Sequence, residues 1–560
     1  MPGFARHWNR SANVSCIRGL CLLGILFIGV TPAAATPPPR HSLASSSVGT
    51  PAQIAKQPSF PVWEFALSGN ALLDTRQIER MLYPYLGLKK TIGDVEAARD
   101  NLQAAYRQAG YPAVLVNIPE QDVKNGVVQL RVIEGSIDRL RISGADHFEP
   151  SKIFAAVPAL HVGVTPHLPS VQRQLAALGG QTADRQLTPV LRPGRTPGHL
   201  EVELRVKDEL PLHGSLELNG RNSASTTRTR LTGAVRYDNL WQRLHSFGLQ
   251  YQLTPEKPGE VSVLSLTYML PFSVSSDDLV GEDHLIVYGI RSRSKSQIAS
   301  AGDLSVIGNG DVLGLRGIFP LSGGEAMSHR LSMGMDYKDF RENIVLTGAD
   351  TLRTPISYLP FALNYDRNWR SGDSLAHIGA GLKFTVRGLV GRQDEFDNKR
   401  FLARSDFLIL SGGYDQTIPL GAGFSIRPRF DFQLAGAPLI SNEQYSIGGM
   451  SSVRGYYESQ VLGDDGFTAG AEFESPRFTK PARAIDDLHA VYFIEGGRVN
   501  IHTPLPGTKH HRELLGTGLG LRWKGWRHYS VMTDFAYPLL DSGTVIKGDW
   551  RVDFALRGEF

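Results

Sequence analysis

Two charged residues stand out by their surroundings. Arg454 lies in the run Gly448-Gly449-Met450-Ser451-Ser452-Val453-Arg454-Gly455-Tyr456-Tyr457-Glu458. Its glycines let a loop fold back tightly around one cation and a tyrosine pair. Glu495 lies in Phe493-Ile494-Glu495-Gly496-Gly497. Alternate residues of a strand share a face, so Phe493, Glu495 and Gly497 point together, and Gly497 leaves room beside the carboxylate. The chemistry open to this set is an ion pair between a loop and a strand wall. By spacing alone two readings stand: both charges are solvated where they lie, or the loop inserts and Arg454 meets Glu495.

Reactive chemistry has no such support. The chain has no G-x-S-x-G, H-E-x-x-H or G-x-x-x-x-G-K-[ST] pattern. His510-His511 falls in an expected outer loop, where a solvated pair is the plain reading. No catalytic residue, metal or cofactor is expected. Both cysteines, Cys16 and Cys21, lie in the first 35 residues, so the remainder has no thiol for a disulfide, a metal site or nucleophilic attack. The 59 basic and 55 acidic side chains come close to balance once Arg6, Arg10 and Arg18 are set aside, which argues against nucleic acid as a partner.

Residues 1–35 read as a secretory signal. The basic start is followed by an apolar run, Gly19 to Val30, too short to cross a bilayer, and by Ala33-Ala34-Ala35 as a cleavage site. Residues 36–60, rich in Pro and Ser, read as a flexible linker. Residues 61–135 then follow the order β-α-α-β-β. Asp74 is placed to cap one helix, Asp94 opens a second carrying Val95, Ala98, Leu102, Ala105 and Tyr106 on one face, and strands follow at 113–118 and 127–133. Residues 136–208 repeat the order, giving two small α+β modules in tandem.

From 209 to 560 the helical period gives way to alternation. Trp550, Val552, Phe554, Leu556 and Phe560 share one face of the last segment, with Asp549, Arg551, Asp553, Arg557 and Glu559 on the other. Sixteen such strands are predicted, from 212–221 to 549–560, including 356–366, 402–413, 466–475 and 488–498. Each is about as long as a tilted membrane strand. A soluble sandwich would leave a very large sheet with open edges. A closed barrel removes the edges and offers lipid the apolar face. If the modules lie in the periplasm, loops 294–310, 341–355, 388–401 and 435–465 face outward, and Arg454 lies in the longest of them.

On these residues the chain resembles two-partner secretion outer-membrane transporters, the haemolysin and filamentous-haemagglutinin branch of the outer-membrane assembly superfamily. The tandem modules resemble POTRA domains. Val453-Arg454-Gly455-Tyr456 resembles the motif of the sixth outer loop, and Phe493-x-Glu495-x-Gly497 that of the lumen strand, where relatives usually carry Asp. The resemblance implies a 16-stranded transmembrane barrel preceded by two periplasmic POTRA domains, with Arg454 held against Glu495. It implies a pore for a large unfolded exoprotein of the β-helical adhesin or haemolysin type. The implied partners are that exoprotein, outer-membrane lipid, and the periplasmic chaperones and barrel-assembly machinery that place the chain in a Gram-negative outer membrane. Trp550, Phe554 and Phe560 are the expected C-terminal barrel signal. Leu102, Tyr106, Val114 and Val116 are the expected client groove in the first module, where a client strand adds to the sheet edge. The rival readings are an insertase for other barrels and a passive porin.

Overall fold

The computed structural model describes residues 58–560, except 124, 196–198, 273–282, 295–298, 302–303, 307, 322, 325, 346–350 and 481–484. The expected signal (1–35) and almost all of the linker (36–60) lie outside the described residues.

Both modules are built on the same sheet. In the first, Glu64–Ser68 runs parallel to Val127–Glu134, whose other edge pairs antiparallel with Val114–Asn117. In the second, Ser136–Ser143 runs parallel to His199–Asp208, which pairs antiparallel with Arg185–Pro193. A helix pair packs on each sheet: Thr75–Leu82 and Ile92–Gln108, then Pro150–Ala155 and Leu168–Gly180. The first strand of each module ends at a matched glycine. Gly69 and Gly144 have φ of +81° and +79°, and a Cβ on either would strike a carbonyl of the central strand, Val132 or Val206. The helix expected to open at Asp94 opens one turn earlier. Thr91 is its N-cap, and the Asp94 carboxylate accepts from the Thr91 N–H at 2.7 Å, closing a capping box that holds this carboxyl below its ordinary pKa. Asp74 occupies the N-cap of the preceding helix but makes no side-chain bond there.

The second module is seated on the barrel by the turn after the second barrel strand. Gln242 accepts from the Glu149 N–H at 3.0 Å and donates to the His147 carbonyl at 3.0 Å, while Leu244 packs into the module core. Trp241, Gln242 and Leu244 all hold positive φ, between 54° and 63°. Non-glycine residues rarely adopt that conformation, so the docked turn carries backbone strain. Beside it, His213 Nε2 lies 3.2 Å from Asp184 and 3.3 Å from Asp238.

Eighteen strand segments among the described residues close an antiparallel barrel. Two breaks reduce them to sixteen spanning strands. Thr351–Tyr358 and Pro360–Ser371 are one strand interrupted before Pro360, and Asp465–Glu474 and Phe478–Lys480 are one strand interrupted around Pro476. Proline cannot donate to the ladder. The barrel closes where Ala555 to Glu559 pair with Asn219 to Ser215. Strand parity sorts the faces: on Ile485–Asn500, Tyr492 and Ile494 are exposed, whereas Val491, Phe493 and Glu495 are buried inside. The outward belt of Leu, Val, Phe and Tyr is what lipid requires. The predicted strands lie close to their observed positions with one clear exception. The segment expected at 402–413 begins at Leu408, because Gln393–Lys399 forms a helix and Arg400 to Phe407 leads back from it.

Candidate functional site

Loop 436–464 folds back inside the barrel. Three short pieces hold it: Ser441–Glu443 as a turn, and Tyr445–Ile447 paired with Val461–Gly463 as a hairpin. Its tip carries Val453, Arg454, Gly455 and Tyr456 against the inner wall. Glycines clear the space. A Cβ at Gly516 would strike the Arg454 carbonyl, one at Gly518 would strike the Phe493 ring, and Gly455 itself has φ +93° with the Pro538 backbone against it. The room expected at Gly497 is taken by the Phe467 backbone and by Ile447 of the loop.

Arg454 and Glu495 meet. Glu495 Oε2 accepts from Arg454 Nε at 3.1 Å and from the Arg454 backbone N–H at 2.9 Å, and Oε1 accepts from Arg454 Nη2. The guanidinium lies over the Phe493 ring, 3.5 Å from its centroid, so both wall residues of the strand motif grip one cation. The extra methylene of Glu relative to Asp leaves the pair closed. The site also holds residues that sequence spacing did not single out. Arg454 Nη1 donates to Asp534 at 3.2 Å, and Nη2 donates to Glu472. Arg429 donates to Glu495 and to the Ser452 carbonyl at 2.6 Å, and Arg522 donates to Asp534 at 2.6 Å. Three guanidinium groups thus face three carboxylates from five strands and the loop. Arg454, Glu495 and Asp534 are all at least 98 % buried, and an unbalanced set would be costly there. The alternating Arg427, Arg429 and Asp431 of strand 424–435 and the lone acid Asp534 of strand 529–538 were the available signal, but no spacing rule aims side chains from separate strands at one point.

Tyr456 fixes the loop by hydrogen bonding. Its hydroxyl lies 2.9 Å from the Leu515 carbonyl and 2.8 Å from the Leu540 carbonyl, and accepts from the Leu540 N–H at 3.2 Å. Val453 sits in the small apolar cluster of Ile447, Val461, Val499 and Leu514. Just past its tip the loop also reaches the barrel seam: the Glu458 N–H donates to the Asn222 carbonyl at 3.0 Å, and Arg551 lies 4.5 Å from the Tyr457 ring centroid.

The outward half of the lumen is filled as well. Lumen-facing Val263, Tyr288, Ile290, Val312 and Tyr358 form one apolar cluster with Phe396, Ala403 and Phe407 of one outer loop and Leu439 and Ile440 of loop 436–464. Glu443 binds Lys338 at 2.6 Å, Lys383 at 3.0 Å and the Tyr358 hydroxyl at 2.7 Å. Asp464 accepts from Arg400 at 2.7 Å and from the Leu439 and His502 N–H groups. Burial pushes the Glu443 carboxyl upward, but the two lysines outweigh it and hold the carboxyl down at about 2.

Elsewhere the placements differ from a binding groove. Leu102, Tyr106 and Val114 are fully buried and Val116 is almost so. The helical i, i+3, i+4 stripe and the strand alternation that make this pattern visible are those of the first module's core, so these side chains do not line a free groove. What the sheet edge at Val114–Asn117 presents is backbone and the exposed Leu115. Trp550 and Phe560 are exposed on the outer side. Trp550 packs edge-on to Tyr537 at 5.3 Å, and Phe560 exchanges backbone bonds of 3.0 Å with Gly214 at the seam. Phe554 lies beside Gly220, where a Cβ would crowd its ring.

Comparison with known proteins agrees with this architecture. Residues 60–135 match the POTRA domain of ShlB type, and residues 198–523 match the haemolysin secretion/activation protein family ShlB/FhaC/HecB. The outer membrane transporter CdiB of Dickeya dadantii is 23 % identical over 514 residues, covering 88 % of this chain and 86 % of the relative. The heme/hemopexin transporter protein HuxB of Haemophilus influenzae is 19 % identical over 522 residues, covering 90 % and 88 %. Among solved structures, CdiB from Escherichia coli superposes with a TM-score of 0.58 at 19 % identity, over 92 % of this chain and 93 % of that one. BamA from Haemophilus ducreyi lacking POTRA domains 1–3 gives 0.56 at 12 % identity, over 90 % and 100 %. At these identities the structural likeness speaks for the fold, and the family match over more than half of the chain speaks for kinship. The chain belongs to the haemolysin secretion/activation family and is an outer-membrane two-partner secretion transporter with its POTRA region in the periplasm.

Proposed function

We propose that the chain exports one large exoprotein, adhesin or haemolysin in type, as an unfolded polypeptide, and that loop 436–464 is the element that must move to let it pass. The observation that carries this reading is the occupied lumen. The Arg454 set and the outer apolar cluster fill the space a client would thread. A sixteen-stranded barrel has a lumen wide enough for an extended chain once such contents shift. Tandem POTRA modules at 61–135 and 136–208 take up the client first, by strand addition at edges such as Val114–Asn117. With no nucleotide-binding loop, direction comes from the client folding outside, and no bond is made or broken in the transporter. Kinship with secretion proteins disfavours the insertase reading, and a passive porin has no use for the modules. The test is deletion of the gene, with mass spectrometry of culture supernatant and outer membrane. Loss of one large exoprotein at unchanged barrel levels supports the reading, and a general fall in barrel proteins overturns it.

A further inference from the structure

The outer wall of the barrel has a groove where the first and last strands meet. It measures about 850 Å³ and is almost wholly apolar, within the ~300–1,000 Å³ range of small-molecule sites. Strand parity puts it on the lipid side, since Leu216, Val235, Leu249 and Leu556 of its lining are exposed outward. Glycine helps make it: Gly233 and Gly558 fall on this face and contribute no side chain between Leu216, Tyr251, Tyr529 and Phe560. The chain enters this end of the barrel from the periplasmic modules, so the groove opens toward the periplasmic leaflet. At that end stand Trp523, Trp526 and Tyr529 in edge-to-face contact, the aromatic arrangement of a membrane interface. The adjoining turn exposes Arg527 and His528. A slot that is apolar along its length, rimmed by indoles and fronted by a guanidinium and an imidazole, matches an acyl chain ending in a phosphate.

We propose that this seam groove holds one phospholipid of the periplasmic leaflet, its acyl chain over Gly233 and its phosphate at the turn of Arg527 and His528. The site is independent of the secretion role. The occupant is a phospholipid and not lipopolysaccharide, because the groove and its guanidinium lie at the periplasmic end.

The steric map supplies a clean test. A Cβ at Gly233 meets only the end of Leu216 at 3.9 Å, so Gly233→Leu fits the backbone while its side chain enters the slot. Gly289 faces lipid away from the seam with nothing within 4 Å of a Cβ, so Gly289→Leu is the matched control. Full-length protein is extracted from outer membranes into mild detergent and weighed by native mass spectrometry, with heat-modifiable gel migration reporting barrel folding. One retained phospholipid is expected in the wild type and in Gly289→Leu. Occupancy is expected to fall about tenfold in Gly233→Leu, as loss of a decade in affinity gives. Val235→Trp, which fills the slot from its rim, replaces Gly233→Leu if that variant does not fold. Absence of retained phospholipid in the wild type, equal retention in all variants, or retained lipopolysaccharide overturns the proposal.

Discussion

Replacing Arg454 by Ala is the most direct perturbation of the lumen, and its size follows from the contacts. The variant removes one of three guanidinium groups facing Glu472, Glu495 and Asp534, and it empties the face of Phe493. Breaking a buried pair by removing one partner costs ~3–5 kcal/mol. Arg429 still reaches Glu495 and Arg522 still reaches Asp534, which puts the loss near the lower bound. About 3 kcal/mol shifts the docked-to-undocked ratio of the loop about a hundredfold. The barrel ladder makes no use of Arg454, so outer-membrane levels and heat-modifiability are expected to stay normal. Secretion is expected to fall, and protease cleavage within 436–464 to rise. Arg454→Lys keeps the charge but not the fork that holds Glu495 and Asp534 together, so it should sit between wild type and Ala. In the double variant with Glu495→Gln, two cations face two anions again, and the combined effect should be smaller than the sum. Normal secretion and unchanged protection of the loop in Arg454→Ala, at normal protein level, would refute the latch.

Other expectations follow from the same geometry. Tyr456→Phe strands buried groups at Leu515 and Leu540 and should loosen the loop by about 1–3 kcal/mol, read as increased cleavage in 436–464. Gly516→Val puts side-chain atoms where the Arg454 carbonyl lies and should reproduce the Arg454→Ala phenotype with every charge intact. Glu443→Gln leaves Lys338 and Lys383 without their carboxylate and should raise single-channel conductance in planar bilayers; unchanged conductance would remove Glu443 from the outer closure. Because the Glu443 carboxyl is held at about 2, below its ordinary 4.5, its contribution is complete above about pH 4.5. That contribution is lost as pH falls toward 2. The wild-type pore should therefore show no Glu443-dependent opening from pH 8 to pH 5, and the difference from Glu443→Gln should shrink only on further acidification.

The relation between sequence and structure varies from element to element. The sixteen strands were legible because membrane strands alternate with a strict period of two, and the polar face of 376–387 or 549–560 cannot be mistaken for the lipid face. The two modules were legible as a repeat because each needs the same core stripe and the same Ser-Gly strand end at 68–69 and 143–144. That same stripe misled the assignment of a groove. Leu102, Tyr106, Val114 and Val116 form a pattern because they are core, and a pattern of core residues says nothing about an open surface. The helix at Gln393–Lys399 escaped because it is polar outside and anchored by the single buried Phe396, whose ring meets Tyr358 of a barrel strand and Phe407 further along the loop.

The amino-acid sequence by itself determined the barrel, the faces of its strands, the modules before it and the loop and strand that carry Arg454 and Glu495. These rest on period, composition and turn chemistry, which act between residues near in the chain. Only the tertiary structure decided that Arg454 is shared among Glu495, Glu472 and Asp534, and that Arg429 and Arg522 balance the set. It also decided that two outer loops fill the lumen and that two glycines, Gly233 and Gly558, meet in a groove at the seam. Those features depend on closure, which brings strands separated by up to several hundred residues side by side in a register that no local pattern encodes.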